Sequence, residues 1–255
     1  MPSVEAPKNN KESLREMSFL EHLEDLRGVL VQSGIAFLLC SIVYWFFSGT
    51  ILDFLVRDVP VDKLNFFAPA EAFMARMKIS FVLGIMTAFP FILFKIWSFV
   101  VPGLFVNERK KLYPFIVTSS VLFYVGVLFC YYILIPIVIE FLMGFGTERL
   151  NPMLSVSMYF TFVARLCFTF GLVFQLPIVV FLLSILGIVT PQFLLKQWRY
   201  AVVVIFVASA ILTPPDPASQ VLMAIPILLL YIGSVLVAFA ALRKQKKAES
   251  EELEG

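Results

Sequence analysis

The residues best suited to chemistry lie just before the first long apolar run of the chain. Ser18 and Glu21 have the spacing of a capping box, which marks the start of a helix. Apolar residues then recur every three or four positions, so this helix is expected to lie on a membrane surface before it turns into the first span. The apolar face consists of Met17, Leu20, Leu23, Leu26 and Leu30.

The polar side of this helix carries Glu21, Glu24 and Asp25. Glu21 and Asp25 are four positions apart and share a face, where like charges repel mildly. A cationic partner would relieve that repulsion. An ordinary solvated face is the alternative, and these residues alone leave both open.

Another acid, Glu108, lies in the loop between the second and third apolar runs. Glu108 is followed directly by Arg109, Lys110 and Lys111, and it is the only acid of its loop. It can pair with Arg109 or Lys111, or it can join the acids of the first helix on the same membrane surface.

Two polar side chains interrupt the fourth apolar run. An arginine near the centre of a span costs roughly 2.5–3.5 kcal/mol on insertion scales, so Arg165 is a functional candidate. It is also near enough to the outer end of the run to extend its guanidinium to the interface. Gln175 precedes Pro177 by two positions and is expected to face protein rather than lipid.

The sequence contains no motif for enzyme chemistry. It has no phosphate-binding loop, no zinc-protease motif and no nucleophile elbow. Its single histidine cannot form a multi-histidine metal site. Cys40, Cys130 and Cys167 are scattered in apolar runs and are expected to be packing residues. We therefore expect no enzyme, no metal and no cofactor.

The composition indicates a polytopic membrane protein. Of the 255 residues, 60% are hydrophobic and 15% are charged, against roughly 45–50% and 25% in soluble domains. These values exclude a soluble enzyme, a disordered chain and a secreted disulfide scaffold. The net charge of +2 gives no indication of nucleic-acid binding.

Six apolar runs approach the ~20 residues that a membrane-spanning helix needs. They are continuous rather than alternating, which predicts helices and not barrel strands. Their approximate bounds are Val29–Phe47, Ile79–Val101, Tyr113–Ile139, Met158–Leu186, Tyr200–Leu212 and Val221–Leu242. The fifth is short enough to be re-entrant, but the anchor Trp198–Tyr200 and the stop Thr213–Pro217 favour a short crossing.

Lysine and arginine predict the orientation. Fourteen lie in the segments on the side of the amino terminus and five on the other side, so both termini are expected in the cytoplasm. The expected organisation is a polar tail over residues 1–16, a membrane domain over 17–242 and a charged tail over 243–255. No cleaved signal peptide is visible, because a charged stretch precedes the first span.

Six sequence blocks, in this order and topology, resemble the TatC family, the multispanning core subunit of the twin-arginine protein translocase. The resemblance runs from about Met17 to Arg243. The blocks are LEHLEDLR (20–27), FAPAE (67–71), FKIWSFVVPGL with NER (94–109), FGLVFQLP (170–177), GIVTP (187–191) and LTPPD with SQVLMAIP (212–226).

The resemblance implies an all-α fold of six helices in a concave bundle, with short fifth and sixth helices and a periplasmic cap. Residues of the matching blocks in the cap and loops are Pro69, Glu71, Asp216 and Gln220. It also implies a protein of the bacterial cytoplasmic membrane that receives folded cargo through twin-arginine signal peptides. Such proteins assemble with TatB- and TatA-type single-span subunits in a larger complex and use the proton-motive force.

The family's signal-peptide site is carried over to Asp25 and Glu108, with Glu24 and Glu21 as neighbouring acids. Arg27 matches the basic residue that follows the family's amino-terminal acid. Asp25 stands where many members have glutamate, which keeps the charge but shortens its reach. Gln175 also stands where many members have glutamate, and a glutamine cannot titrate.

Two functions from other classes compete with this reading. A small-solute transporter or channel would need ionisable groups near the membrane midplane, where the sequence offers only Arg165 and Gln175. A purely structural membrane scaffold would not bind a signal peptide. A binding measurement with such a peptide therefore distinguishes a scaffold from a signal-peptide receptor.

Overall fold

A computed structural model describes residues 19–57, 68–100, 112–144, 155–213 and 216–254. This part of the chain forms nine α-helices and one π-helical turn. The helices are α1 (Phe19–Arg57), α2 (Pro69–Val100), α3 (Leu112–Phe129), α4 (Ile135–Met143), α5 (Val156–Val173), α6 (Leu176–Ile185), α7 (Pro191–Lys196), α8 (Trp198–Leu212) and α9 (Pro217–Glu254), with the π turn Cys130–Leu134 between α3 and α4. The polar tail over residues 1–16 and the loop with Glu108 lie outside the described residues.

Five helical segments are long and apolar enough to cross a membrane. They are Leu23–Val56, Ala70–Phe99, Pro114–Met143, Val156–Ile185 and Pro217–Arg243. α8 is also apolar but has only 15 residues. The apolar part of α9 has 27 residues, against 30 to 34 in the other four long segments.

α1 differs from the expected surface helix followed by a turn. It runs unbroken over 39 residues, so the acidic segment and the first apolar run form one rod. No proline lies between Asp25 and Val29, and their side chains are compatible with a continuous helix. The charged tail is also helical, because α9 continues to Glu254 through lysine, glutamate and alanine, which are good helix formers.

The long helices alternate in direction, which gives the bundle two ends. We call the end where α1 begins the proximal end and the end where α1 finishes the distal end. α2 returns antiparallel along α1, as the contacts Phe37–Phe81 and Trp45–Phe73 show. α3 returns along α2, where the rings of Phe89 and Phe123 stack.

Glycines permit the closest helix crossings. A Cβ on Gly84 of α2 would lie 2.8 Å from both the Cα and the backbone N of Ser41 on α1. A Cβ on Gly126 of α3 would lie 2.7 Å from the carbonyl oxygen of Phe170 on α5. Backbones approach this closely in membrane helices where a small residue leaves room, and the packing gained there is a main source of association.

Prolines coincide with two local breaks. In the π turn, the N–H of Ile135 donates to the carbonyl of Cys130, five residues earlier, just before Pro136. α5 ends at Val173 and α6 begins at Leu176, next to Pro177. α2 and α9 continue through Pro90 and Pro226, so a proline alone does not end a helix in this bundle.

We predict that Gly84→Ala destabilises the protein. The added methyl group has to push α1 away from α2, which costs about 1–3 kcal/mol and outweighs the ~0.5–1 kcal/mol that alanine gains over glycine in a helix. The measurement is reversible unfolding in mixed detergent micelles.

The matched control is Gly34→Ala in α1, where a Cβ would meet no atom within 4 Å. This variant should be equal to or more stable than the unmodified chain. A Gly84→Ala variant as stable as Gly34→Ala would show that the α1–α2 crossing is not close-packed.

Candidate functional site

The acids of the first helix lie in one turn at the proximal end of α1. Glu24 and Asp25 are exposed, as is Arg27, two positions further on. Neither acid forms an ion pair within the described part of the chain. Glu21 is also in α1, but its side chain is outside the described residues. The structure therefore presents two exposed carboxylates on one helical turn.

Glu108 itself lies outside the described residues, but its loop has two described ends. α2 ends at Val100 and α3 begins at Leu112, and both are at the proximal end. The topology thus attaches the loop of Glu108 to the same end of the bundle as Asp25.

Lys95 is a proximal cation that the sequence analysis did not single out as a site residue. Its ammonium lies 5.4 Å from the ring centre of Phe91 and 5.8 Å from that of Phe94. Both distances are within the range of a cation–π interaction. The aromatic spacing at positions i−4 and i−1 on α2 is the sequence signal that indicates it.

Gln175 links two helices inside the bundle. Its amide nitrogen donates a 3.0 Å hydrogen bond to the carbonyl oxygen of Ser119 on α3, at the break between α5 and α6. Arg165 is exposed on α5 and is ten positions away, about 15 Å along the helix. The structure therefore does not join these two residues into one intramembrane site.

At the distal end, Glu71 connects the start of α2 to the start of α5. Its carboxylate accepts hydrogen bonds from the Ser155 hydroxyl and, at 3.2 Å, from the backbone N–H of Ser157. Ser155 also caps α5, since its hydroxyl oxygen accepts from the backbone N–H of Met158. The Ser155-Val-Ser-Met158 segment was the sequence signal for this cap, and sequence reasoning missed it.

Lys78 extends this connection one turn deeper. Its ammonium donates to the hydroxyls of Ser157 at 3.1 Å and Thr161 at 2.9 Å. A charged side chain at this depth is satisfied by α5 hydroxyls, which fixes α2 against α5 by polar contacts as well as by packing.

A separate distal cluster holds α8 and α9. Asp216 caps α9 by accepting from the backbone N–H of Ser219 at 2.7 Å and from the Ser219 hydroxyl. The Ser219 hydroxyl and N–H hold the pKa of Asp216 below its ordinary value, so the cap is ionised at neutral pH and is lost only as the pH falls through that lowered pKa. Gln220 donates to the carbonyl of Phe206 at 2.9 Å.

Three of the residues assigned to the cap and loops fall into two separate clusters at the distal end. Glu71 belongs to the α2–α5 cluster, and Asp216 and Gln220 belong to the α8–α9 cluster. Pro69 is the first residue of α2, and its side chain is outside the described residues. Within the described part of the chain, no three His, Cys, Asp or Glu side chains are grouped so that they could hold a metal ion.

The chain is similar to known proteins over most of its length. A family model described as TatC, Sec-independent protein translocase protein, matches residues 21–226. The Sec-independent protein translocase protein TatC of Carboxydothermus hydrogenoformans is 40% identical over 88% of this chain and 93% of that protein. The TatC protein of Aquifex aeolicus is 38% identical over 91% of this chain and 99% of its own.

Solved structures give the same result. A crystal structure of the twin-arginine translocase receptor TatC superposes with a TM-score of 0.80 at 38% sequence identity. The match covers 87% of this chain and 100% of the solved chain. A second crystal structure of this receptor, in the detergent DDM, superposes with a TM-score of 0.79.

We predict that Glu71→Ala lowers the free energy of unfolding by about 1–3 kcal/mol, because the variant leaves Ser157 N–H and the Ser155 hydroxyl without their charged acceptor. Glu71→Gln keeps one acceptor oxygen and should lose less. Unfolding in mixed micelles measures both.

Glu140→Gln is the control, since Glu140 is an exposed acid near the same distal end. Equal stability of Glu71→Ala and Glu140→Gln would contradict a structural role for the α2–α5 connection.

Proposed function

The chain belongs to the TatC family, and on that premise we propose that Asp25 and Glu108 bind the paired arginines of its cargo's signal peptides. Members of this family are signal-peptide receptors and core subunits of the twin-arginine translocase, which exports folded proteins. The chain is accordingly a multi-pass protein of the bacterial inner membrane and a transport component, not an enzyme.

The observation that carries the proposal is the exposure of Asp25 at the end of the bundle to which the loop of Glu108 is attached. A guanidinium is charged at every physiological pH and binds a carboxylate through two parallel hydrogen bonds. Two consecutive arginines therefore require at least two acids on one surface. Asp25 and Glu108 supply them from two different segments.

The neighbouring charges on α1 favour Asp25 over Glu24 as the binding residue. Residues three apart on a helix are neighbours, so Arg27 faces the same side as Glu24 and can screen its charge. Residues two apart do not face each other, so Arg27 leaves Asp25 accessible. Glu21 shares the face of Asp25, and we assign it the role of a second acid beside that residue.

We propose six crossings with both termini in the cytoplasm, so that the proximal end is cytoplasmic. The fourteen-to-five distribution of Lys and Arg supports this orientation. α8 is the short crossing: its 15 residues span about 22 Å, less than the ~30 Å of the hydrocarbon core. Trp198, Arg199 and Tyr200 are exposed at its proximal end, as interfacial anchors are.

We further propose TatB- and TatA-type single-span subunits as partners, with self-association in a larger complex. Support comes from the large apolar side chains exposed along α1 and α8, which lipid or a partner helix has to cover. Transport is driven by the proton-motive force. Proton transfer does not pass through Gln175, because its amide carries no titratable proton and is bonded to Ser119.

We expect Asp25→Asn and Glu108→Gln each to weaken the binding of a twin-arginine signal peptide by roughly 30-fold or more. Removing one partner of a partly desolvated charge pair costs ~2–5 kcal/mol, whereas an exposed pair contributes only ~0–1 kcal/mol. Peptide affinity is measured for the full chain in detergent or nanodiscs, with Arg-Arg and Lys-Lys peptides.

Glu140→Gln is the matched control, because it removes an exposed acid from the opposite end of the bundle. It should leave the affinity unchanged. Binding within twofold of the unmodified chain for both site variants would show that Asp25 and Glu108 are ordinary surface charges.

We also predict that a cysteine at position 250 is labelled only from the cytoplasm and one at position 218 only from outside. Ala218 is the appropriate distal position because it is exposed, whereas Ser219 is fully buried. Cys40 is partly exposed and should be replaced first, while Cys130 and Cys167 are buried. Labelling of Ser250→Cys from outside would overturn the orientation.

A further inference from the structure

The distal end contains a cleft whose residues have been given no functional role above. It is formed between α1 and α2, has a volume of about 420 Å³ and is open on one side. Its walls include Trp45, Gly49 and Asp53 of α1 and Arg76 of α2. Signal-peptide binding and the α2–α5 connection use none of these residues.

The cleft is built around the guanidinium of Arg76. This group crosses from α2 to α1 and lies directly on the backbone at Gly49, where any Cβ would collide with Nη2 and would lie 3.2 Å from Cζ. Glycine at position 49 therefore creates the space for the guanidinium. Arg76 remains exposed on its other side.

A carboxylate stands beside this cation without neutralising it. Asp53 also lines the cleft and is exposed, but within the described residues it forms no ion pair with Arg76. The cleft thus offers one positive and one negative group, separated from each other. Such a pair fits a ligand that carries both an anion and a cation.

The order of these groups along the axis of α1 follows from their spacing. Trp45, Gly49 and Asp53 are spaced by four residues, so they lie on one face of α1, each about 6 Å further toward the distal end. Trp45 packs edge-on against Phe73 of α2. Tryptophan is enriched at membrane–water interfaces, so we take Trp45 to mark the interface at this end of the bundle. Beside the cleft, Phe46 is 78% exposed and is suited to contact acyl chains.

From the interface outward, the order is therefore aromatic ring, guanidinium, carboxylate. A phospholipid with an amino headgroup has the matching order of glycerol, phosphate and ammonium. We propose that the cleft binds the headgroup of a phosphatidylethanolamine-type lipid, with its phosphate on Arg76 and its ammonium on Asp53. A guanidinium is the preferred partner of a phosphate oxygen pair.

The test uses Trp45 as a reporter inside the cleft. Trp97 and Trp198 are replaced by phenylalanine, and the full chain is placed in nanodiscs that contain lipids with brominated acyl chains, which quench tryptophan fluorescence on contact. Brominated phosphatidylethanolamine should quench Trp45 with a two- to fivefold preference over brominated phosphatidylcholine, about the size expected of a partly exposed charge pair. Equal quenching by both lipids would overturn the proposal.

Three variants test what Arg76, Gly49 and Asp53 each contribute to the headgroup preference. Arg76→Gln should abolish the headgroup preference, and Gly49→Ala should reduce it by displacing the guanidinium. Asp53→Asn should transfer the preference to the anionic phosphatidylglycerol, because the positive charge of Arg76 is then unopposed. Arg165→Gln is the matched control, since it removes an exposed arginine from α5 and should change nothing. A preference that survives Arg76→Gln would show that the cleft is not the binding site.

Two further measurements identify the ligand as a lipid and avoid the tryptophan substitutions. Soluble glycerophosphoethanolamine at millimolar concentration should not reverse the quenching, and reversal at micromolar concentration would show that the ligand is a soluble molecule. Native mass spectrometry of the otherwise unmodified chain should retain phosphatidylethanolamine, and Arg76→Gln should lose it. Equal retention by both chains would contradict the site. This result is independent of peptide binding at Asp25.

Discussion

The structure depends on one constraint: in hydrocarbon, every backbone N–H and C=O has to find its partner within the protein. This requirement makes each span a helix and leaves no hydrophobic driving force to hold one helix against another. Association then depends on close approach, which in this bundle occurs where glycine meets a neighbouring backbone or ring. Gly84 meets Ser41, Gly126 meets Phe170, and a Cβ on Gly171 would collide with the ring of Phe123. These crossings set the positions of α1, α2, α3 and α5, and so of every polar group that the helices carry.

The same constraint explains how the polar side chains are used. Some serines buried inside spans donate to carbonyls of their own helices, as Ser41 does to Phe37 and Ser234 does to Leu230. Long-range polar bonds also connect neighbouring helices, some at the glycine crossings, as between Tyr44 of α1 and Thr87 of α2, and some away from them. Lys78 connects α2 to α5, and Tyr231 donates to the carbonyl of Leu194 across α9 and α7. Charges without such partners, including Asp25, Asp53 and Arg76, remain exposed at the two ends, where they can meet a peptide or a headgroup.

The sequence predicted the helical class and the approximate positions of the apolar runs, because run length and continuity are local properties. It did not predict the unbroken α1, since an amphipathic start followed by an apolar run also suits a surface helix with a turn. It missed the π turn at Cys130. The change from bonds between residues four apart to a bond between residues five apart leaves no signal in the amino-acid composition. It named Asp25 as a site residue through the family resemblance and its place on the polar side of the first helix, and that role stays a prediction. It could not find Arg76 with Gly49, because that pairing requires the crossing angle of two helices.

The helix that carries Asp25 of the proposed site is the long helix least supported by the core. Only 17% of the apolar window of α1 is buried, against 33–39% for the other four long segments, and its close contacts are with α2. The position of Asp25 is therefore determined by the α1–α2 crossings along a rigid rod of 39 residues, not by packing around the carboxylate itself. The loop of Glu108 follows the proximal end of the same α2 helix. In the proposed site, Asp25 and the start of the Glu108 loop thus belong to one helix pair, and the close approach of Gly84 to Ser41 holds that pair together.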